Sequence, residues 1–304
     1  MDLKNMNVVR KMMHAARWAT GLLTPKVNTY LNYYGHNRRL PNLNEPKSFS
    51  EKLLKLKLEN YNSNPLVKKC ADKVSVREYV RERGYGAMLN EVLGVYSDPD
   101  DIPWGSLGDR FVVKLNTGAG CNLICSNIAD LDLNEAKRTV RSWKKVKPWV
   151  LYSEYQYKTR KQWIVEKYLD ISSDGVLPED YKVYCFGGKA KAILCISGRF
   201  SSDASYGYFM SPDWQFMGSV NGKDYRCVRE DGLPPKPDYL RLMIDAAEAL
   251  SVPFPFVRVD FYIPEINSYP IFGEMTFTPA GGVYTSETLI EGKSMGELLD
   301  IHQS

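Results

Sequence analysis

Histidine is almost missing from this chain: three residues in 304, His14, His36 and His302, all near the ends. A serine- or cysteine-type triad needs a positioned histidine base, so that chemistry is not expected. Cysteine is also sparse. Cys70, Cys121, Cys125, Cys185, Cys195 and Cys227 form no CxxC pair and have no histidine beside them. Cys121 and Cys125, if on a strand, stand roughly 13 Å apart, too far to share an ion, so free thiols of a reducing cytoplasm are expected. No run of about 20 apolar residues occurs, so no membrane span is expected. The GxxxxGK phosphate loop, a GxGxxG opening a strand–helix unit and the GxSxG elbow are all missing. An excess of one charge is missing too. Forty basic against 36 acidic residues leave +4, too little to imply a nucleic-acid partner.

What is present is an ordinary globular composition, 44% apolar and 25% charged, long enough for a sizeable core and about two domains. Met1 to Lys26 mixes Met12, Met13, Trp18, Leu22 and Leu23 with Arg10, Lys11, Arg17 and Lys26. Arg17 interrupts the apolar stretch and no small-residue cleavage site follows, which reads as an amphipathic helix rather than a signal peptide. Packing on the protein's own body is its plain reading; peripheral membrane contact through the basic residues is the other.

Ser48-Phe49-Ser50-Glu51 is a capping-box pattern before Leu53, Leu54, Leu56 and Leu58. Val76 and Val80 lie one turn apart, with Gly84 as a stop. Strands are expected at Phe111 to Leu115, Ile164 to Leu169, Tyr181 to Phe186, Ala190 to Ser197, Phe256 to Tyr262 and Tyr269 to Met275. Helices are expected from Asn134 to about Lys145 and from Asp238 to Leu250. Short-turn strands with helices between groups indicate α+β. Between Glu135 and Lys167, ten Lys or Arg are interleaved with aromatic residues. The stretch fits a solvated face, an approach for an anionic ligand or a stacking nucleic-acid surface. The acidic run Asp98, Asp100 and Asp101 reads as a turn, with a nucleotide-sugar metal site, hence a glycosyltransferase, as its alternative.

The strongest pattern is the pair Phe256 to Tyr262 and Tyr269 to Thr276, a β-hairpin with its turn centred on Asn267. A symmetric register sets Asp260 opposite Glu274 and Arg258 opposite Thr276. Alternation puts all four on one face, with Val257, Val259, Phe261 and Met275 on the other. Carboxylates opposed about 5 Å apart repel. Hard oxygens on rigid strands beside a hydroxyl suit Mg²⁺ holding a polyphosphate, with Arg258 neutralising a purely structural cluster as the alternative. The repulsion implies that removing either carboxylate leaves metal-free stability unchanged or slightly higher. Phe111 to Leu115 enters a small-residue turn, Asn116 to Gly120, whose glycines let backbone N–H groups approach phosphate, with Lys114 as a point charge. Ile164 to Asp170 and Asp180-Tyr181-Lys182 complete the set; Asp180 and Lys182 share a face.

This order of a lysine strand, glycine turn, Glu-Lys-aromatic-Leu hinge, second lysine strand, Arg-x-Asp and Glu-x-Thr resembles the ATP-grasp superfamily. From about Asn44 to Gly296 the chain is more similar to the TupA-like ATP-grasp proteins of bacterial surface-polysaccharide and teichuronopeptide gene clusters. That likeness includes Pro46, Phe49 to Lys52, Asp72-Lys73, Asn116, Gly118, Gly120, Asp180 to Lys182, Phe256 to Asp260 and Phe272 to Phe277. The resemblance implies two α+β subdomains with antiparallel sheets clasping ATP, over residues 71–170 and 171–304, behind a helical segment, 1–70. It implies phosphate contacts from Lys114 and Lys182, a lid at Gly118, Ala119 and Gly120, and adenine held along Glu166, Lys167, Tyr168 and Leu169, with Asp180 beside the nucleotide. Asp260, Glu274 and Thr276 would bind Mg²⁺, and Arg258 and Lys182 would be catalytic. The implied reaction is ATP-dependent amide formation between a hexuronic acid and an amino acid in the cytoplasm. A phosphotransferase and an inactive nucleotide-binding module are its alternatives. Thr276 replaces the usual asparagine ligand, Thr117 and Ala119 replace a histidine and a serine of the subfamily turn, and the first 70 residues lack the usual Rossmann-like strand pattern.

Overall fold

A computed structural model of the chain describes residues 8–118, 120–169, 179–197, 205–220, 225–226, 233, 235–264, 268–284, 289–290 and 292–302. The chain opens with α1 (Val8–Leu23) and α2 (Pro25–Asn37). Pro25 starts α2 because a residue without an N–H suits the first helical turn and cannot continue the preceding one. The expected capping box is present at α3 (Phe49–Leu56): the Ser48 hydroxyl accepts from the Glu51 N–H while the Glu51 carboxylate accepts from the Ser48 N–H. One π-helical turn, Lys57–Tyr61, extends α3, followed by α4 (Pro65–Ala71) and α5 (Val76–Glu82).

The first sheet comprises β1 (Val92–Tyr96), β2 (Phe111–Leu115), β3 (Asn122–Cys125) and, after α6 (Leu133–Ser142) and α7 (Pro148–Tyr152), β4 (Trp163–Lys167). It is wholly antiparallel in the order β1-β4-β2-β3. Its inward residues Phe111, Val113, Leu115, Trp163 and Val165 pack on Ala136 and Val140 of α6, with Cys121 and Cys125 buried among them as free thiols.

The second sheet takes β5 (Glu179–Phe186), β6 (Lys189–Ser197), β7 (Ser205–Met210), β8 (Phe216–Ser219) and β9 (Tyr225–Arg226). Past α8 (Leu240–Ser251) come β10 (Phe256–Ile263) and β11 (Ile271–Thr276). Its order is β11-β10-β5-β6-β7-β8, with β9 parallel to β7. A small ladder, β12 (Leu289–Ile290) with β13 (Lys293–Ser294), and α9 (Met295–Leu298) finish the described chain. Phe49, Leu53, Leu56 and Tyr61 share one core with β5, β10 and α8. The helical segment is thus built into the large sheet rather than standing apart.

The Asp260–Glu274 and Arg258–Thr276 pairs form as the alternation predicts. Beyond them a bulge shifts the register, so that Phe261 faces Phe272. Gly273 sits at the bulge, where a Cβ would meet the Tyr262 ring at 2.9 Å and the Asp260 carbonyl oxygen at 3.1 Å. The turn around Asn267 lies outside the described residues.

Tyr61 ties the π turn to the site strand: its hydroxyl donates to the Phe256 carbonyl at 2.8 Å and accepts from the Phe256 N–H at 3.2 Å, fully buried. Tyr61→Phe strands both main-chain groups, so chemical denaturation is expected to show a loss of about 1–3 kcal/mol.

Candidate active site

β-Pairing alone assembles the charged residues. Glu274 on β11, Asp260 on β10 and Lys182 on β5 are direct neighbours across three strands, and Thr276, Arg258 and Tyr184 form the row beside them. Arg258 and Asp260, two residues apart on one strand, share a face, and the guanidinium grips the carboxylate in a fork of 2.7 and 2.6 Å. Lys182 Nζ lies 2.8 Å from Asp260 Oδ2 and 2.6 Å from Asp180 Oδ2. The Thr276 hydroxyl accepts from Arg258 at 3.2 Å and donates to Glu274 at 3.0 Å.

A cation that the sequence reading gave no role completes this cluster. Lys73 Nζ lies 3.1 Å from Glu274 Oε2 and donates to the Gly118 carbonyl at 3.2 Å, joining the carboxylate hairpin to the glycine turn. Its place is set by a buried knot. Asp72 accepts from Val74 N–H at 2.9 Å, from Asn116 Nδ2 at 2.5 Å and from the Thr159 hydroxyl at 3.0 Å, while Asn116 also bonds Arg160 and Gln162. The dipeptide Asp72-Lys73 was a visible signal, but nothing in its spacing says which strand it meets.

The electrostatics follow from these contacts. Burial alone lifts a carboxyl pKa and lowers an amine's. At Glu274 burial is outweighed by Lys73, Arg258 and Lys182, which hold the carboxyl well below the usual range. At Lys182 the desolvation is outweighed by Asp260 and Asp180, and the amine is raised. Arg258 is likewise raised, chiefly by Asp260 against its burial.

The other expected residues group on the smaller sheet. Lys114 Nζ pairs with Glu166 at 2.6 Å, and Arg77, also without a role in the sequence reading, reaches the same carboxylate at 3.4 Å. The Lys167 N–H donates to the Glu91 carbonyl and its own carbonyl accepts from Asn90. Tyr168 is buried with Arg110 above its ring, and Leu169 is half-buried. Gly118 and Gly120 adopt φ of 84° and 81°, a left-handed backbone that glycine takes without strain. Ala119 lies outside the described residues. Behind the hairpin, Thr278 donates to Glu154, Gln156 donates to Thr278 at 2.9 Å, and Lys57 donates to the Tyr152 carbonyl at 2.7 Å. Burial, opposed by Glu154, lowers Lys57 to about 8. Asp98 caps an exposed turn by accepting from the Asp100 N–H, and the two carboxylates pair with Lys144 and Arg141, the plain turn reading.

No cluster of three or more His, Cys, Asp or Glu suited to a metal is gathered among the described residues. Asp260, Glu274 and Thr276 nonetheless offer two facing carboxylates and a hydroxyl. Such a set fits Mg²⁺, which takes one or two carboxylates and fills its remaining positions with water and phosphate oxygens.

A family model described as TupA-like ATPgrasp matches residues 51–299. The chain belongs to the TupA-like ATP-grasp family. Its fold is accordingly the α+β ATP-grasp fold, with its two antiparallel sheets and the helical segment in front. A crystal structure of D-alanine–D-alanine ligase from Bacillus anthracis is similar at 16% identity and a TM-score of 0.42, over 69% of this chain and 57% of that one. The ATP-grasp ligase PsnB, complexed with a phosphomimetic variant of its minimal precursor, Mg and ADP, is similar at 12% identity and a TM-score of 0.41, over 75% and 58%. The chain therefore spans little more than half the length of either ligase. No curated protein matches the sequence.

The ion pairs reverse one sequence expectation. Asp260 is held by two cations, so Asp260→Asn does not relieve repulsion but leaves Arg258 and Lys182 short of a buried partner. A loss of about 3–5 kcal/mol is expected on urea denaturation without metal. Glu274 gives a pH test. Its pKa is lower folded than unfolded, so its stabilisation is complete above the ordinary value of 4.5 and drains away as pH falls below it. The stability gap between wild type and Glu274→Gln should be constant near neutrality and narrow steadily in acid.

Proposed function

We propose that this protein is an ATP-dependent carboxylate–amine ligase that forms an amide through an acyl phosphate. The observation that carries the reading is the row Glu274, Asp260, Lys182 with Arg258 beside it, linked through Lys73 to the glycine turn. Such a row sets fixed cations and hard oxygen donors at one place, which is what phosphoryl transfer requires.

Residues 71–170 and 171–304 are the two halves that close on ATP, with the adenine along Glu166, Lys167, Tyr168 and Leu169. Lys114 and Lys182 bind the phosphates, Asp180 holds Lys182 in place, and N–H groups of the Gly118, Ala119 and Gly120 turn cover them. Asp260, Glu274 and Thr276 would hold Mg²⁺, which when bound would supply charge neutralisation to the transferring group. A substrate carboxylate oxygen bonds to the γ-phosphorus as the bond to the ADP oxygen breaks. The amine nitrogen then bonds to the acyl carbon, the carbon–oxygen bond to phosphate breaks, and the amine gives up a proton. Arg258, braced by Asp260, stabilises the charge that develops on the attacked carbonyl. The carboxylate is read as that of a hexuronic acid in a bacterial surface polysaccharide or its precursor, the amine as an amino acid's, and the compartment as the cytoplasm. That choice rests on the resemblance of the sequence motifs to TupA-like proteins of surface-polysaccharide gene clusters, and the basic stretch from Arg138 to Arg160 suits an anionic sugar.

The fate of the γ-phosphate tests the reaction. Release of ADP and phosphate should need carboxylate and amine together, and hydroxylamine should trap the carboxylate as a hydroxamate. A stably phosphorylated sugar with no hydroxamate would replace the ligase with a phosphotransferase. Arg258→Lys keeps the charge but loses the fork, and is expected to cut turnover at least about a hundredfold while shifting ATP affinity only a few-fold.

A further inference from the structure

Helix α2 is amphipathic the wrong way round for a protein in water. Its buried side chains are Asn28, Thr29, Asn32 and Tyr33, the first three of them polar, whereas Val27, Leu31 and Tyr34 on the opposite face are 48, 43 and 49% exposed. The burial has a clear cause. Asn28 Nδ2 donates to the Val150 carbonyl at 2.9 Å and to the Ser153 hydroxyl at 3.0 Å, and Asn32 Nδ2 donates to the Leu151 carbonyl at 2.7 Å. These bonds cap the carbonyl end of α7 and fix which way α2 faces. Gly21 lets α1 dock on the same helix; a Cβ there would stand 1.9 Å from the Val150 carbonyl oxygen.

The face left outward continues onto α1. Leu23 precedes Val27, Leu31 and Tyr34 at helical spacing and is 81% exposed, with Leu22 at 46% and Met12 at 68%. A contiguous apolar stripe of this kind on a monomer marks an interaction surface. Charge says which one. Between Leu3 and Asn44 there is no Asp or Glu, but Lys4, Arg10, Lys11, Arg17, Lys26 and Arg38 are all basic, beside Arg39, which pairs with Glu51. A second copy laid on the stripe would set like charges against each other. An anionic lipid surface complements both the apolar side chains and the positive charge. No helix among the described residues is long and apolar enough to cross a membrane, so the contact is one of lying on the surface.

We infer that α1 and α2 form a membrane-docking face that seats the protein on anionic bilayers, Leu23, Val27 and Leu31 entering the headgroup–acyl boundary. The inference is independent of the reaction proposed above. Flotation of the full chain with vesicles tests it, using phosphatidylcholine alone or with about one third phosphatidylglycerol. Binding is expected only to the anionic vesicles and should weaken with added salt. Leu23→Glu combined with Leu31→Glu should lower it at least about tenfold. Lys26→Glu with Arg38→Glu should abolish the lipid preference, and serves should the first variant fold poorly. Absent binding, equal binding to neutral vesicles, or retained binding by both variants would overturn the inference. A dimer in sedimentation velocity that the leucine variant abolishes would also overturn it, assigning the stripe to a second copy.

Discussion

A carboxylate taken out of water costs several kcal/mol unless cations and hydrogen bonds replace the lost solvent. Asp260 is 2% exposed, and its two oxygens take the whole Arg258 fork and one bond from Lys182. That single requirement dictates much of the surrounding sheet. Arg258 must lie two residues back on the same strand, Lys182 must sit opposite on β5, and the strand between must be rigid enough to hold both. The buried aromatic and aliphatic residues on the reverse face, Val257, Val259 and Phe261, supply the rigidity.

The cluster is balanced as it stands. Lys73, Lys182 and Arg258 face Asp180, Asp260 and Glu274, so each cation is held in place by a carboxylate. Under the proposed function, a phosphate arriving here would exchange partners with groups already positioned, and little side-chain ordering would remain to be done. A divalent ion would compete with Lys73 for Glu274, which couples any metal to the contact between Lys73 and the Gly118 carbonyl.

The hairpin was legible because alternation in a strand is strict: one buried face fixes the register, and Asp260 and Glu274 then have to meet. The β2, β5 and β6 segments and the Ser48 capping box were legible for similarly local reasons. The bulge was not placed: a glycine within a strand hints at one, but only the close approach of the Tyr262 ring and the Asp260 carbonyl fixes it at Gly273. Strands β1, β7 and β8 were missed because Gly94, Gly207 and Gly218 interrupt their pattern. Lys73 and Arg77 were missed for a different reason. Lys73 lies in the turn before α5 and Arg77 in the first turn of α5, and contacts between distant segments, Asp72 with Asn116 and Thr159 and the Lys73 N–H with the Asn116 carbonyl, bring them to the sheets. The reversed polarity of α2 was equally hidden, because the partners of Asn28 and Asn32 lie more than a hundred residues away.

The bulge that separates Asp260 from Phe261 divides the hairpin into two lengths with different offsets. Residues from Arg258 to Asp260 keep their pairing whatever happens beyond it, since the ladder on the β5 side runs unbroken from Phe256 to Ile263. The pairing beyond the bulge, Phe261 with Phe272 and Tyr262 with Ile271, is therefore set apart from the pairs at the base. A change in that outer register need not be carried back to Asp260 and Glu274, so the spacing of the two carboxylates is buffered against substitutions farther along the strands.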